Sequence, residues 1–584
     1  MLVTDYVIEY FKKNEGVTHA FVYVGGTAAP LLNSIYNSKG IDYIPARHES
    51  NAALAACGYA LASGKIGLAI SMSGPGSTNM VTGVADAWLD SIPVFFLTGQ
   101  VTTGTYKFDN PARQMGYQEL DIISIVKSIT KAAELVIDKH VIPAKLRHFI
   151  SKARSGRPGS VFMDIPFDVL RMDIPEDGMN EKVKLETLPS ASSEIIDVVC
   201  RMIEKSKRPL ILAGGGIRTP EAHKSLLEFA EKTRIPVVTS LLGKDAFPND
   251  NPLYFGFIGA YGNRYANIAM ANSDLIIAIG SRLDSRQTAT PKYFARASKK
   301  IHVEIDRNEI NNNIQVDLPI HSDLTFFLEK AVMAVPASDA NKYSEWMDYF
   351  KRVKTEFDVL KDVQGPTDKL VHPKRFLQRL SIMNDKKTIY LADVGNNQMF
   401  SAQSLVVKKD QRFFTSGGLG TMGFSLPAGV GAAFGAPDSQ IIAIMGDGGF
   451  QMSIQELQTI VHFKCPVKIV VLNNGILGLM KIFQDENYPG AYAATVDGYS
   501  VPDIGKVAAG YGIPHKRLTS NEEADAFIPE FLNHKGPYIL EVAYHPDWAG
   551  YPKFRGGLGI EHQKPTISVE KLKQFMLIPT IPEK

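Results

Sequence analysis

Along this chain, short apolar runs alternate with longer stretches in which apolar residues return every three or four positions. The first pattern predicts strands buried on both faces, and the second predicts amphipathic helices. Their alternation predicts parallel sheets covered by helices. It occurs in three successive blocks. In the first, KIGLAISMS, IPVFFLTG and GSVFMDIP read as strands and NAALAACGYALA as a helix. After the polar stretch LETLPSASSE, a second block carries RPLILAGGG, IPVVTS, DLIIAIGS and KIHVEID. It closes in the aromatic helical stretch NKYSEWMDYFKRVKTEF and the Gly-Pro of KDVQGPTDK. The third begins near HPKRFLQRL and carries TIYLADVG, QIIAIMGDGG, VKIVVLNN and PYILEVAY. The expected fold is α/β, with three doubly wound parallel-sheet domains at residues 1–175, 190–345 and 366–545. Residues 546–584 lack periodicity until ISVEKLKQFM and read as a tail or lid.

Composition narrows the setting. A net charge of +2 over 584 residues argues against a nucleic-acid or membrane surface. The three cysteines, Cys57, Cys200 and Cys465, are widely spaced and form no disulfide framework or zinc pattern. The opening MLVTDYVIEYFKKNEG is an amphipathic helix pattern rather than a signal peptide, and no apolar run reaches transmembrane length. The expectation is a soluble cytoplasmic protein.

The stretch GDGGFQMSIQELQTIVHFKCPVKIVVLNN, residues 446–474, carries the clearest chemistry. Ile454, Leu457 and Val461 repeat at helical spacing, and VKIVVL suits a buried parallel strand. The segment therefore reads strand, tight turn, helix, strand. That arrangement puts Asp447 and Asn474 at the carboxyl edge of one sheet, where open α/β sheets bind ligands. A hard carboxylate and an amide oxygen, beside the amides of Gly446, Gly448 and Gly449, suit a magnesium ion carrying a diphosphate. Gly-Asp-Gly alone is a common turn; its pairing with Asn473-Asn474 is what makes the signal specific.

That pairing, with 24 residues between the two motifs, resembles the signature of thiamine-diphosphate enzymes. RHESNAALAACGYALASG, SMSGPGSTNMVTGVADAWLDSIPVFFLTGQV, GYQELD, ADVGNNQMF and TSGGLGTMGFSLPAGVGAAFGAP are similar to the acetolactate synthase (acetohydroxyacid synthase)-like branch. The resemblance covers residues 1 to 545, with the motifs in family order. It implies thiamine diphosphate and Mg2+, the metal held by Asp447, Asn474 and the Ile476 carbonyl. Glu49 would be the catalytic acid that bonds a pyrimidine nitrogen and helps remove the thiazolium proton, which calls for a mostly apolar pocket. In isolation, Glu49 would pass for a helix-start acid favoured by the dipole. Gln118 would sit near the reacting carbons. Val24, Gly25, Pro75 and Asn79 would surround the cofactor from the first block. Gly395, Asn396, Asn397, Gly420, Leu477, Gly478 and Leu479 would do so from the third, with Met422 as the apolar wedge that bends it.

In the second block, Gly214, Gly215, Gly216, Gly280, Arg282 and Asp306 resemble the family's FAD segments, where some relatives bind ADP or nothing. A flavin there would be structural, because acetolactate formation has no net redox step. Arg286 matches an arginine that meets an acceptor carboxylate. Four positions depart from the family: Asn396-Asn397 replace Gln-His, Tyr117 replaces Phe, and Phe483 replaces a specificity-setting Trp. The resemblance therefore implies decarboxylation of a 2-keto acid, pyruvate first, with carboligation to a second carbonyl. A simple 2-keto-acid decarboxylase and transfer to a keto-sugar or other acceptor stay open. A non-catalytic nucleotide-binding protein has no use for Glu49, Asp447 and Asn474 together. The family's active sites join Glu49 of one subunit to Asp447 of another, which implies a homodimer at least and a homotetramer in the fuller assembly. A regulatory subunit is left open.

Overall fold

Each apolar run named above becomes a parallel strand. The structure, a computed structural model, describes residues 1–339, 341–362, 365–366 and 370–581. The boundary expected at KDVQGPTDK falls partly on 363–364 and 367–369, outside the described residues.

The N-terminal sheet runs Asp42–Pro45, His19–Val22, Gly67–Met72, Val94–Gln100, Val161–Pro166, Ala133–Leu135. The C-terminal sheet runs Arg412–Thr415, Thr388–Ala392, Gln440–Gly446, Val467–Asn473, Tyr538–Ala543, His515–Leu518. Counted in chain order, both follow 2-1-3-4-6-5. The middle sheet differs. It runs Leu318–His321, Lys299–Glu304, Leu275–Ile279, Pro209–Ala213, Val237–Thr239, Tyr254–Phe257. Its order is 3-2-1-4-5-6 read from the opposite edge, and it reverses direction of travel between Pro209–Ala213 and Leu275–Ile279. Such a reversal opens a crevice at the carboxyl ends of the two strands.

Small residues join the outer two layers. Helix Glu49–Ser63 is capped by His48, whose ring accepts from the Ser50 amide at 3.2 Å, and ends at Gly64 with φ 70°. It lies against helix Ser425–Gly435 at backbone contact. A Cβ on Gly58 would stand 2.0 Å from the Ala428 carbonyl oxygen, and one on Gly431 would stand 1.8 Å from that of Ala55. Neither position can carry a side chain without parting the helices. One apolar cluster therefore runs from Ala53 and Phe96 through Ala428 to Val471.

The segment after His545 is packed rather than free. The Trp548 ring lies 4.1 Å from that of His372, centroid to centroid. A two-strand hairpin, Lys553–Phe554 with Gln563–Lys564, then reaches the middle layer, where the Phe554 amide donates to the Ala260 carbonyl at 2.8 Å. Arg264, fully buried, donates to the carbonyls of Gln563 and Pro565. Helix Val569–Phe575 completes this strap. Among the described residues, no helix is long and apolar enough to cross a membrane.

Candidate functional site

Four neighbouring strands of the C-terminal sheet end at one edge, and each delivers a predicted residue there. Asn396 and Asn397 open the helix after Thr388–Ala392, with Gly395 just before it. Gly420 and Met422 lie in the loop after Arg412–Thr415. Asp447, Gly448 and Gly449 open the helix after Gln440–Gly446. Asn474, Ile476 and Leu477 follow Val467–Asn473, and Gly478 and Leu479 begin helix Gly478–Asn487. The sheet register sets Gly446 opposite Leu472, which fixes Asp447 beside the Asn473-Asn474 turn.

Glycine is required where these turns meet. A Cβ on Gly478 would lie 2.5 Å from Asn396 Nδ2 and 2.9 Å from Asn474 Nδ2. One on Gly448 would lie 2.7 Å from Leu477 Cδ2 and 3.3 Å from both Met422 Cε and the Tyr499 hydroxyl. The two apolar side chains, Leu477 and Met422, thus converge above the Asp447 turn.

The polar inventory of this edge is incomplete in an informative way. Among the described residues, Asn474 Nδ2 and Asn396 Oδ1 are buried without a hydrogen-bond partner, which is unfavourable unless a ligand supplies one. The Asn474 amide oxygen receives a long 3.4 Å bond from the Ile476 amide. Asp447 is 2 % exposed, and burial pushes its carboxyl up to about 6, against the Tyr499 hydroxyl that donates to Oδ2 at 3.0 Å. A buried carboxylate with, among the described residues, one side-chain donor beside an unpartnered amide is a donor set that fits a hard divalent cation and an anionic oxygen. Among the described residues there is no cluster of three His, Cys, Asp or Glu side chains suited to a metal. A cation here would depend on amide and carbonyl oxygens as well as Asp447.

At the corresponding edge of the N-terminal sheet, Glu49 opens its helix and is 5 % exposed. Its Oε2 accepts from Asn79 Nδ2 at 2.9 Å. Asn79 lies one turn into helix Pro75–Leu89, of which Pro75 is the first residue. Gly25 is pressed against Met72, while Val24 beside it is 62 % exposed. Gln118 has φ 65°, and a Cβ on Gly74 would lie 2.9 Å from its carbonyl oxygen. The adjoining Glu119 anchors this loop. Burial would raise its carboxyl, but the amides of Met115, Lys107 and Gly116 hold it below the usual range. Tyr117 is 85 % exposed. Glu49 bonds to Asn79 and Asp447 to Tyr499; among the described residues no hydrogen bond joins the two edges' acids.

The middle sheet holds a cavity of about 330 Å³ at its reversal point. Gly215, Gly216, Gly280 and Arg282 line it, and so does Arg286, which the sequence matches to an acceptor carboxylate rather than to this crevice. Gly214 is needed beneath them, since its Cβ would lie 2.1 Å from the Gly280 carbonyl oxygen. Asp306 is not among the lining residues: its carboxylate pairs with Arg157 at 3.2 Å, and Glu304 from the same strand end lines the cavity instead. Arg286 belongs to this cavity's rim and is exposed. Phe483 stands on helix Gly478–Asn487, 47 % exposed, its ring 6.4 Å from that of Tyr488. Glu486 of the same helix is tied to the C-terminal strap by Lys553 at 2.8 Å and Lys564 at 3.0 Å.

Sequence reasoning missed Tyr499, Glu304 and Arg218, and gave Asp393 no definite role. Asp393 is fully buried and burial pushes it up to about 7; its Oδ1 accepts from the amides of Gly423 and Val394 and so ties the Met422 loop to the strand end. Its place after TIYLA was a visible signal. Tyr499 comes from a polar loop that offers none.

Comparison with known proteins agrees with this architecture. The family models for the thiamine pyrophosphate enzymes match in all three layers: the N-terminal TPP binding domain at 1–125, the central domain at 196–331 and the C-terminal TPP binding domain at 393–542. The chain is 39 % identical to an acetolactate synthase large subunit of Corynebacterium glutamicum, covering 91 % of this chain and 85 % of that one. It is 38 % identical to a "Probable acetolactate synthase large subunit" of Methanocaldococcus jannaschii, covering 91 % and 90 %. It is 34 % identical to the acetolactate synthase isozyme 2 large subunit of Escherichia coli, covering 91 % and 93 %. The chain belongs to the thiamine pyrophosphate enzymes, in the family of acetolactate synthase large subunits.

Proposed function

We propose that this protein decarboxylates a 2-keto acid, pyruvate first, and ligates the remaining two-carbon unit to a second carbonyl, using thiamine diphosphate and Mg2+. The observation that carries the reading is the C-terminal sheet edge, where Asp447 and the orphaned amides of Asn474 and Asn396 converge on turns too tight for any residue but glycine. Asp447, Asn474 and the Ile476 carbonyl would hold the metal. The amides of Gly446, Gly448 and Gly449, with Asn396 and Asn397, would hold the diphosphate. Met422 would be the apolar wedge that bends the cofactor, with Leu477 beside it. When bound, the cofactor supplies a cationic ring that takes up the electron pair left by departing carbon dioxide. Glu49, its carboxyl oriented by Asn79 and kept from water by burial, would share a proton with the pyrimidine end. Calorimetric titration with thiamine diphosphate tests the site: binding that requires Mg2+ is expected, and metal-independent or absent binding would refute it.

The three blocks expected from the sequence serve as domains in this reading, at 1–175, 190–345 and 366–545, followed by the C-terminal strap. Assembly follows from what one chain leaves open. Val24 and Tyr117 at one edge, and Met480 and Phe483 at the other, are large apolar groups left exposed around the two half-sites. A two-fold dimer that sets Glu49 of one copy against Asp447 of the other would cover all four, and a tetramer would pair two such dimers. Mixing Glu49→Gln and Asp447→Ala proteins under subunit exchange should then restore activity, because each mixed dimer contains one site with both residues intact. A mixture as inactive as its parents would contradict a shared site. The unpaired cysteines suit a reducing compartment such as the cytoplasm.

For the middle cavity, we infer an adenine nucleotide, FAD or ADP, with its phosphates toward Gly215, Gly216 and Arg282. Protein purified and then denatured should release one of the two, read by absorbance and mass. Finding neither, with no binding on addition, would refute the inference.

Phe483 is inferred to help set acceptor choice. Half-exposed and one and a half turns into its helix, it can reach the space beyond the metal turn without touching Glu49, Asp447 or Asn474. Phe483→Trp should leave carbon dioxide release nearly intact while shifting the product ratio in a mixture of keto-acid, aldehyde and keto-sugar acceptors. The shift should be partial, since a methylene-sized change in a pocket wall alters discrimination by about 1–3 kcal/mol. An unchanged ratio, or equal loss in both readouts, would make Phe483 a packing residue only.

A further inference from the structure

The loop 416–423, which carries Gly420 and Met422, sits where the three layers meet. From the N-terminal layer, Asp90 caps the end of helix Pro75–Leu89 and accepts from the Gly417 amide at 2.8 Å and the Gly418 amide at 2.7 Å. One turn earlier, Asp86 accepts from the hydroxyls of Ser416 and Thr421, and Ser416 accepts in turn from the amides of Gly420 and Thr421. Both carboxyls are buried. The loop has no slack on either side. A Cβ on Gly418 would lie 2.7 Å from Leu89 Cβ, and one on Gly417 would lie 2.6 Å from Leu242 Cγ. Gly417 and Leu242 are also wall residues of the middle cavity. The loop that presents Met422 and the proposed nucleotide site thus share a partition.

Arg218 spans that partition. Its Nε donates to the Gly215 carbonyl at 2.6 Å, on the glycine turn of the cavity. Its Nη2 donates to the Asp90 carbonyl at 2.7 Å. Its Nη1 is buried with no partner among the described residues, and Arg218 itself lines the cavity. An anionic oxygen from a cavity ligand is the group that this unmet donor lacks. Supplying it would fix the guanidinium, and with it Asp90 and the two loop amides that Asp90 holds.

We propose that Asp90 is a positioning residue that couples the two ligand sites: a nucleotide engaging Arg218 fixes the 416–423 loop through Asp90, so that the nucleotide and thiamine diphosphate bind cooperatively. This rests on the reading of both sites given above. The coupling is reciprocal by necessity, so either ligand tightens the other by the same factor.

The test is a pair of calorimetric titrations of the full-length protein. Thiamine diphosphate is titrated at fixed Mg2+ with and without saturating FAD or ADP, then the order is reversed. The expected result is a tightening by about 5-fold or more, within the usual range of allosteric coupling, and equal in both orders. In Asp90→Asn, which keeps the size but removes one acceptor oxygen, the factor should fall toward one while each ligand still binds alone. A nucleotide that binds without changing the affinity for thiamine diphosphate would overturn the proposal, and so would undiminished coupling in Asp90→Asn. The wild-type titrations decide the existence of coupling even if the variant does not fold. If neither nucleotide binds, the cavity reading fails and takes the coupling with it. If thiamine diphosphate itself does not bind, the proposed function fails.

Discussion

Glu49→Gln is expected to fold, to retain thiamine diphosphate and to lose activity by at least the roughly 10²–10⁴-fold of a missing acid–base group. The substitution preserves size and can still accept from Asn79 Nδ2, so helix Glu49–Ser63 and its packing against helix Ser425–Gly435 should be undisturbed. What the amide cannot do is share a proton with the pyrimidine nitrogen. The direct readout is exchange of the bound cofactor's thiazolium proton with deuterium, followed by magnetic resonance after acid quench. Exchange should slow in parallel with turnover. Wild-type exchange rates in Glu49→Gln would remove Glu49 from this role, whatever happened to overall activity.

Asp447→Ala should act at an earlier step, abolishing retention of metal and cofactor together. Removing groups that merely orient a metal ligand lowers affinity by about 10–100-fold, and losing a ligating carboxylate should exceed that. The effect should not arise from misfolding: Asp447 opens helix Asp447–Ser453 just past a strand whose central residues, Ile441 to Ile444, are buried apolar groups in register with both neighbours. Tyr499→Phe supplies the internal comparison. It removes the hydroxyl that donates to Asp447 Oδ2 and leaves the carboxylate in place, so its loss should fall in the 10–100-fold range. Magnesium titrations of cofactor binding separate the two variants. Full cofactor retention by Asp447→Ala at low magnesium would falsify the metal assignment.

The sequence made the C-terminal edge legible because its signals are local. An apolar run long enough for a buried strand, followed at once by Asp447 or Asn474, places the polar group at the strand's carboxyl end wherever the strand sits. Other features depend on distant partners. Edge strands such as Asp42–Pro45, Ala133–Leu135 and His515–Leu518 are short and half-exposed, so no apolar run marks them. The helix read across Ile454, Leu457 and Val461 is broken by a 3₁₀ turn at Ile454–Glu456, because apolar spacing survives a local tightening that hydrogen bonds do not. Asp306 and Glu304 look alike at a strand end. Arg157, contributed by the N-terminal layer, takes Asp306 and leaves Glu304 to the cavity. The aperiodic C-terminal segment is held by side chains reaching its backbone, as Arg264 does, and that mode leaves no pattern in the segment itself.

The central claim, carboligation on thiamine diphosphate, is tested most directly by stoichiometry. The protein is reconstituted with thiamine diphosphate and Mg2+, given carbon-labelled pyruvate as sole substrate, and followed for pyruvate consumed, carbon dioxide released and products identified by mass. Ligation to a second keto acid predicts two pyruvates consumed for each carbon dioxide, a five-carbon hydroxy-keto acid as product, and little free acetaldehyde. One pyruvate per carbon dioxide with matching acetaldehyde, or no carbon dioxide from the fully loaded protein, would contradict it.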